Sequence, residues 1–152
     1  MTTETSARHL LAAVAVFGLG IALVAGQQPT TTVFTAQQAA AGRAAYEATC
    51  ASCHVADLGG RNEAPQLAGG DFMNTWRGRT TQALLEFMQS TMPPDGPPLA
   101  PDQYQSIVAY ILQQNGAAAG PQPFLPATAV PIGAVATGQR PAAAAQASPD
   151  RS

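Results

Sequence analysis

The sequence predicts an all-α domain of three to four short helices, because the periodicity of its apolar residues is helical. Tyr104, Ile107, Val108 and Ile111 fall at positions i, i+3, i+4 and i+7, the spacing of one helix face. An earlier alanine-rich segment favours a second helix that ends near Thr49. No convincing strand pattern lies beside the two cysteines of the chain. A helical domain is therefore expected.

Capping signals mark the ends of these helices. Thr35 and Gln38 have the spacing of a capping box, with Thr35 as the N-cap of the first helix. Pro101 suits the first position of the last helix, and Asn115-Gly116 supplies a stop. A third helix is expected over residues 81–90, with an apolar side formed by Leu84, Leu85, Phe87 and Met88.

The N-terminal residues 1–26 have the form of an export signal. Arg8 and His9 precede an unbroken apolar run over residues 10–25, which small and polar residues follow. The run is shorter than the ~20 residues that span a membrane comfortably. A cleaved signal peptide and a periplasmic protein are expected. The alternative is a retained N-terminal anchor that holds the domain at the outer face of the inner membrane.

The remaining chain divides by composition. Residues 27–33 are interpreted as a linker and residues 34–116 as the folded domain. Residues 117–152 are rich in alanine and proline and carry only three charged residues. Because no apolar periodicity is present there, this segment is predicted to be a disordered tail.

Charge restricts the class of partner. The seven basic residues are all arginine, and the formal net charge is −2. A nucleic-acid-binding protein needs a basic face for phosphate groups. A nucleic-acid partner is therefore not expected.

The run Cys50-Ala51-Ser52-Cys53-His54 is a C-x-x-C-H motif, the spacing at which haem is attached through two thioethers while the histidine binds iron. A redox dithiol and half of a zinc site are the alternatives. A thioredoxin-like dithiol should lie beside a strand–helix–strand pattern. A closed zinc site needs four ligands, but the chain has two cysteines and two histidines, and His9 lies in the predicted signal. Haem binding is therefore favoured by elimination as well as by the motif.

The second axial ligand of the iron can be narrowed by exclusion. Removal of the signal leaves no second histidine, and the chain has no lysine, so a methionine or a vacancy remains. Met88 lies in register with an apolar helix face, and Met73 fits a packing turn. Met92 differs because it follows the third helix and precedes Pro93-Pro94, which favour an extended segment against a haem face.

The C-x-x-C-H motif and the run Thr91-Met92-Pro93-Pro94 together resemble the class I cytochromes c, especially short bacterial ones. The resemblance covers about residues 34–116. It implies a small cytochrome c fold wrapped round one covalent haem c, with His54 and Met92 as axial ligands. It also implies that the first and last helices cross where Gly42 and Tyr46 face Ile107 and Tyr110.

The same resemblance implies further contacts to the haem. The carbonyl of Pro65 should accept a hydrogen bond from His54, and Leu67 should pack on the ring. Trp76, Arg77 and Arg79 cluster where relatives bind the haem propionates, and Trp76 and Arg79 are the residues expected to do so. The alternative for each arginine is a solvated side chain without a ligand.

The resemblance implies one-electron transfer between redox partner proteins rather than enzymatic activity. The chain looks most similar to cytochromes c associated with quinoprotein alcohol dehydrogenases, so such an enzyme is the expected donor and a terminal oxidase the expected acceptor. Two alternatives stay open. In the first alternative, the chain is a subunit of a larger dehydrogenase or oxidase. In the second, it is a haem enzyme or gas sensor with an open sixth position.

Overall fold

The structure, a computed structural model, describes residues 31–141. This part of the chain is helical, as predicted, and its extended segments make two isolated β-bridges but no sheet. The predicted signal or anchor lies outside the described residues, and no helix within them is long and apolar enough to cross a membrane. The helices are α1 (Ala36–Thr49), α2 (Ala51–His54), α3 (Gly70–Trp76), α4 (Thr81–Thr91), α5 (Pro101–Gln114) and α6 (Ile132–Val135).

The centre of the fold is the crossing of α1 and α5. Gly42 lies so close to α5 that an added Cβ atom would collide with the backbone carbonyl of Ser106. One turn further on, the rings of Tyr46 and Tyr110 pack with their centroids 5.4 Å apart. Glycine permits this close approach because it has no side chain. The predicted crossing of the first and last helices is confirmed.

Helix α4 begins with Thr80 as the N-cap, whose hydroxyl oxygen accepts a hydrogen bond from the amide of Ala83 at 3.1 Å. The predicted apolar side of this helix is confirmed for Leu84, Leu85 and Met88, which are buried. Phe87 is 44% exposed, but it lies on the same side of the helix, because it lines a large cavity together with Leu84 and Met88. Its ring packs edge-on against the ring of Trp76, with the two ring centroids 5.4 Å apart.

The predicted capping box at the start of α1 is half present. The hydroxyl oxygen of Thr35 accepts a hydrogen bond from the amide of Gln38 at 3.1 Å, as expected for the N-cap. The side chain of Gln38 has a different use. Its amide donates to the carbonyl of Phe124 at 2.9 Å and accepts from the amide of Phe124 at 2.7 Å. Gln38 therefore holds the C-terminal part of the chain.

Residues 117–141, called the strap below, are packed against the domain, so the prediction of a disordered tail is wrong for this segment. Phe124 and Ile132 are completely buried, and Val135 is nearly so. These apolar residues are widely spaced along an irregular segment, so they produce no periodic pattern in the sequence. The folded part of the chain thus extends beyond the expected end at residue 116. Residues 142–152 of the predicted tail lie outside the described residues.

Backbone hydrogen bonds fasten the strap at successive points around the domain. It passes the start of α1, the start of α4 and the turn before α4, and then returns to the end of α5. The bonds that trace this path are Gly120 N to Phe34 O (2.8 Å), Thr81 N to Val130 O (2.9 Å), Ile132 N to Arg79 O (2.9 Å) and Gly138 N to Asn115 O (2.9 Å).

Candidate functional site

One large cavity is lined by the residues that the sequence analysis predicted to bind the cofactor. Its volume is about 660 Å³, within the ~300–1,000 Å³ usual for ligand pockets. Much of the wall is aliphatic or aromatic, with Leu84, Leu99, Ile107 and Ile111 among the lining residues. The nominated residues that line the cavity are Cys50, Cys53, His54, Pro65, Leu67, Trp76, Arg79 and Met92.

The two cysteines lie at the junction of α1 and α2. Cys50 ends α1, where its amide donates to the carbonyl of Tyr46 at 2.8 Å, and its own carbonyl accepts from the amide of His54 at 2.9 Å. The thiols of Cys50 and Cys53 are not joined by a disulfide. Burial raises the pKa of the Cys50 thiol, which keeps it protonated at neutral pH. One helical turn thus presents both thiols to the same cavity.

The ring of His54 is held by the predicted partner. His54 is 7% exposed, and its Nδ1 atom lies 2.9 Å from the carbonyl oxygen of Pro65. Because a carbonyl can only accept, Nδ1 must carry the hydrogen in this bond. In the neutral tautomer with this hydrogen on Nδ1, Nε2 has a lone pair that can bind a metal. The hydrogen bond to Pro65 therefore favours the tautomer that a ligating imidazole requires.

The residue after the histidine adopts an unfavourable backbone conformation. Val55 has a φ of 56°, which is rare for a β-branched residue. The buried hydroxyl of Tyr46 donates to the carbonyl of Val55 at 2.7 Å. Burial raises the pKa of the Tyr46 phenol, so the donor proton is retained. The sequence predicted Tyr46 as a packing residue and gave no signal of this hydrogen bond.

The three candidate methionines differ in their position relative to the cavity. Met88 and Met92 line the cavity, whereas Met73 is not among the lining residues and is buried close to Gly138 of the strap. Met92 has extended backbone dihedral angles at the end of α4, and its peptide bond to Pro93 is cis. Two cavity methionines therefore remain as candidates for a sixth ligand.

Tyr104 fixes the segment that contains Met92. Its hydroxyl donates to the carbonyl of Met92 at 2.5 Å and accepts from the amide of Leu99 at 3.2 Å. The loop between α4 and α5 is thus tied at both ends to one buried side chain. In the sequence, Tyr104 was part of an apolar stripe, and its hydroxyl had no predicted role.

Both residues expected to bind the propionates, Trp76 and Arg79, reach the cavity. The guanidinium carbon of Arg79 lies 5.1 Å from the centroid of the Trp76 ring, within cation–π range. Both residues line the cavity. Arg77 does not line it, and its carbonyl accepts from the amide of Gly133 in the strap at 3.0 Å. The cavity therefore has a cationic group at its edge next to an indole N–H donor.

The alternatives to a haem site lose support in the described part of the chain. Residues 31–141 contain no group of three or more His, Cys, Asp and Glu side chains that could hold a metal ion. The same residues form no strand beside the cysteines, as a thioredoxin-like dithiol would require. The C-x-x-C-H motif faces an apolar cavity instead.

Comparison with known proteins agrees with this geometry. Residues 37–111 match the family described as cytochrome c oxidase, cbb3-type, subunit III. No curated protein and no solved structure shows significant similarity to the chain. The match supports a c-type cytochrome family and gives no support for an association with alcohol dehydrogenases.

A c-type cytochrome domain implies covalently bound haem c, and the residues of the cavity fit that cofactor. Two thiols are available for thioether bonds, and the hydrogen bond from Nδ1 of His54 to Pro65 leaves Nε2 as the nitrogen that could bind iron. The apolar wall suits the porphyrin, and thioether sulfurs of Met88 and Met92 offer a soft ligand for the iron. The indole N–H of Trp76 and the guanidinium group of Arg79 are suitable hydrogen-bond donors for the propionate carboxylates.

Proposed function

We propose, on the premise that residues 37–111 form a c-type cytochrome domain, that the protein carries single electrons between redox partner proteins. The observation that carries the proposal is the convergence of Cys50, Cys53 and His54 on one apolar cavity. When bound, haem c supplies a one-electron iron couple. The protein itself binds the cofactor, excludes water from it and sets its potential.

His54 and Met92 are the proposed axial ligands. The hydrogen bond from His54 Nδ1 to Pro65 supports the first assignment, because it fixes the tautomer and the orientation of the ring. For the second, Met92 lies on a loop that Tyr104 holds beside the cavity, whereas Met88 lies within α4 and packs among its apolar neighbours. With His54 and Met92 both bound to it, the iron would have no site for a substrate.

Covalent attachment is the first element to test. In the double variant Cys50→Ala/Cys53→Ala, haem should become fully extractable by acid–acetone, because no thiol remains to form a thioether. The variant should also be largely unfolded, since its apolar cavity would lose its covalently held occupant. Ser52→Ala is the matched control, since it changes the residue between the two cysteines and should leave the haem covalent. Haem that resists extraction from the double variant would contradict the proposal.

The sixth ligand is tested by a set of methionine variants. Met92→Ala should lower the reduction potential and allow carbon monoxide to bind the reduced protein, because a thioether ligand favours ferrous iron. Met88→Leu should retain the wild-type spectrum, as a swap of similar volume in a packed site. Met73→Leu should do the same, because Met73 is not among the residues that line the cavity. If Met92→Ala keeps the wild-type spectrum and Met88→Leu does not, Met88 is the sixth ligand.

A second candidate function is that of a subunit in a terminal oxidase. The observation that favours it is the family match itself, whose description names an oxidase subunit. Export through residues 1–26, with or without retention of this segment as an anchor, is part of both proposals. Purification of the native protein separates them. Release as a soluble monomer would support the carrier, and co-purification with a membrane-bound oxidase would support the subunit.

The proposed closed site also distinguishes electron transfer from gas sensing. Reduced wild-type protein should not bind carbon monoxide if Met92 occupies the sixth position. Tight binding to the wild type would favour a haem enzyme or sensor with an open iron.

A further inference from the structure

We propose that Asn115 is a positioning residue for His54, acting through the loop formed by residues 65–69, called the histidine loop below. This inference rests on the proposed role of His54 as an iron ligand. It concerns a residue that the sequence presented only as a helix stop. The side chain of Asn115 contacts this loop only two residues away from Pro65 along the chain.

Asn115 is completely buried, and its side-chain amide is bonded on both sides. Nδ2 donates to the carbonyls of Leu67 and Ile111, each at 2.9 Å. Oδ1 accepts from the amide of Gly69 at 2.9 Å. The side chain therefore grips the histidine loop at two points while it is anchored to α5. A buried amide with this many partners has one available orientation.

The histidine loop carries the hydrogen-bond acceptor for His54. Pro65, whose carbonyl lies 2.9 Å from Nδ1 of His54, is separated from Leu67 by one residue. The amide of Leu67 also donates to the carbonyl of Leu58 at 2.9 Å. Leu67 is thus fixed from two sides, by Leu58 and by Asn115. A displacement at Leu67 would shift the neighbouring carbonyl that orients the histidine ring.

Asn115 also joins the strap to this arrangement. Its backbone carbonyl accepts hydrogen bonds from the amides of Thr137 and Gly138, each at 2.9 Å. The end of α5, the strap and the histidine loop therefore meet at one residue. The strap end supports the backbone of Asn115, and the side chain of Asn115 supports the loop.

The consequence concerns the electronic character of the histidine. A hydrogen bond from Nδ1–H to a carbonyl raises the basicity of the ligating ring. A more basic ligand favours ferric iron, so a weaker bond to Pro65 should raise the reduction potential. Removal of the Asn115 amide should weaken this bond by releasing the histidine loop. The expected signature is a change in potential together with a loss of stability.

The test compares Asn115→Leu with Gln38→Leu in the full-length holoprotein. Gln38 is a matched control because its amide makes two hydrogen bonds to the strap backbone at Phe124. Both variants should lower the unfolding temperature. Only Asn115→Leu should shift the ferric–ferrous equilibrium toward ferrous, by about threefold or about 28 mV at 59 mV per tenfold. It should also move the hyperfine-shifted proton signals of the His54 ring in the ferric protein.

Two outcomes would overturn the inference. One is an Asn115→Leu protein that is destabilised but keeps the wild-type potential and His54 signals. The other is an equal shift in Gln38→Leu, which would indicate a general effect of loosening the strap. If Asn115→Leu does not fold, Asn115→Ser takes its place, because its shorter side chain removes the amide. A wild-type protein without histidine ligation would instead refute the proposed function itself.

Discussion

The α1–α5 crossing and the strap both close the core of this domain, but they do so in different ways. At the crossing, two helices of 14 residues each meet along a continuous face, with Gly42 and the pair Tyr46 and Tyr110 at the contact. The strap contains one short helix and is held by separate anchors at Phe124, Ile132 and the backbone bonds between them.

The difference shows which kinds of packing leave a trace in sequence. A helix face repeats every three to four residues, so its apolar stripe can be recognised from the order of the amino acids alone. The strap anchors do not repeat, because each fits a different site on a domain that is already folded. A low overall content of large apolar residues is typical of disordered segments. Two fully buried side chains, Phe124 and Ile132, hardly change the overall content of large apolar residues in this segment.

The largest effect is expected when a buried side chain of the strap is shortened. Phe124→Ala should lower the free energy of unfolding by about 3–5 kcal/mol, because it removes a completely buried ring. Leu125→Ala is the control, since its neighbouring side chain is 54% exposed and should cost little. Chemical denaturation of both holoproteins measures the difference. Equal small losses would show that the strap contributes little to the core.

The crossing can be tested with one added methyl group. Gly42→Ala should destabilise the protein by about 3 kcal/mol, because its Cβ atom would collide with the backbone of Ser106 in α5. Gly78→Ala is the matched control, because no atom lies within 4 Å of the added Cβ at that position. Thermal unfolding of the two variants gives the comparison. A wild-type midpoint for Gly42→Ala would mean that the helices can separate without cost.

The smallest effect concerns the hydroxyl of Tyr46 at high pH. Burial raises the pKa of both Tyr46 and Tyr110 above the ordinary value of about 10. The folded state therefore holds these protons more tightly than the unfolded state. The associated stability is complete below about pH 10 and is lost as the pH rises through the folded-state pKa.

Tyr46→Phe should cost about 1 kcal/mol at neutral pH, because it removes the hydrogen bond to Val55. It should also make the decline of the free energy of unfolding above pH 10 less steep. Tyr110→Phe is the control for the hydrogen bond, since it removes a phenol from the same ring pair and leaves the bond from Tyr46 to Val55 in place. Because burial also raises the pKa of Tyr110, this variant too should show a less steep alkaline decline. Denaturation curves at neutral pH distinguish the two variants, and curves above pH 10 measure the contribution of each phenol to the alkaline decline. The same steep alkaline decline in Tyr46→Phe as in the wild type would contradict the assignment.

For the candidate site, the sequence identified the residues with cofactor chemistry and missed most of those that support them. Cys50, Cys53 and His54 follow from their spacing, and the predicted hydrogen bond from His54 to the carbonyl of Pro65 is present in the structure. Asn115, Gln38 and Tyr104 were assigned to a helix stop, a capping box and an apolar stripe. Their actual partners lie 46, 86 and 12 residues away along the chain. No local pattern encodes such partners.

The sequence by itself determined helices α1, α4 and α5, the attachment motif and the short list of methionines. Each of these depends on residues that are close together along the chain, where spacing and side-chain chemistry are sufficient. The tertiary structure decided that residues 117–141 belong to the fold and that Met73 is not among the cavity-lining residues. It also decided which buried polar groups hold the histidine loop and the methionine segment. Those choices depend on contacts between distant parts of the chain, because a buried polar group must find its partner wherever the fold places one.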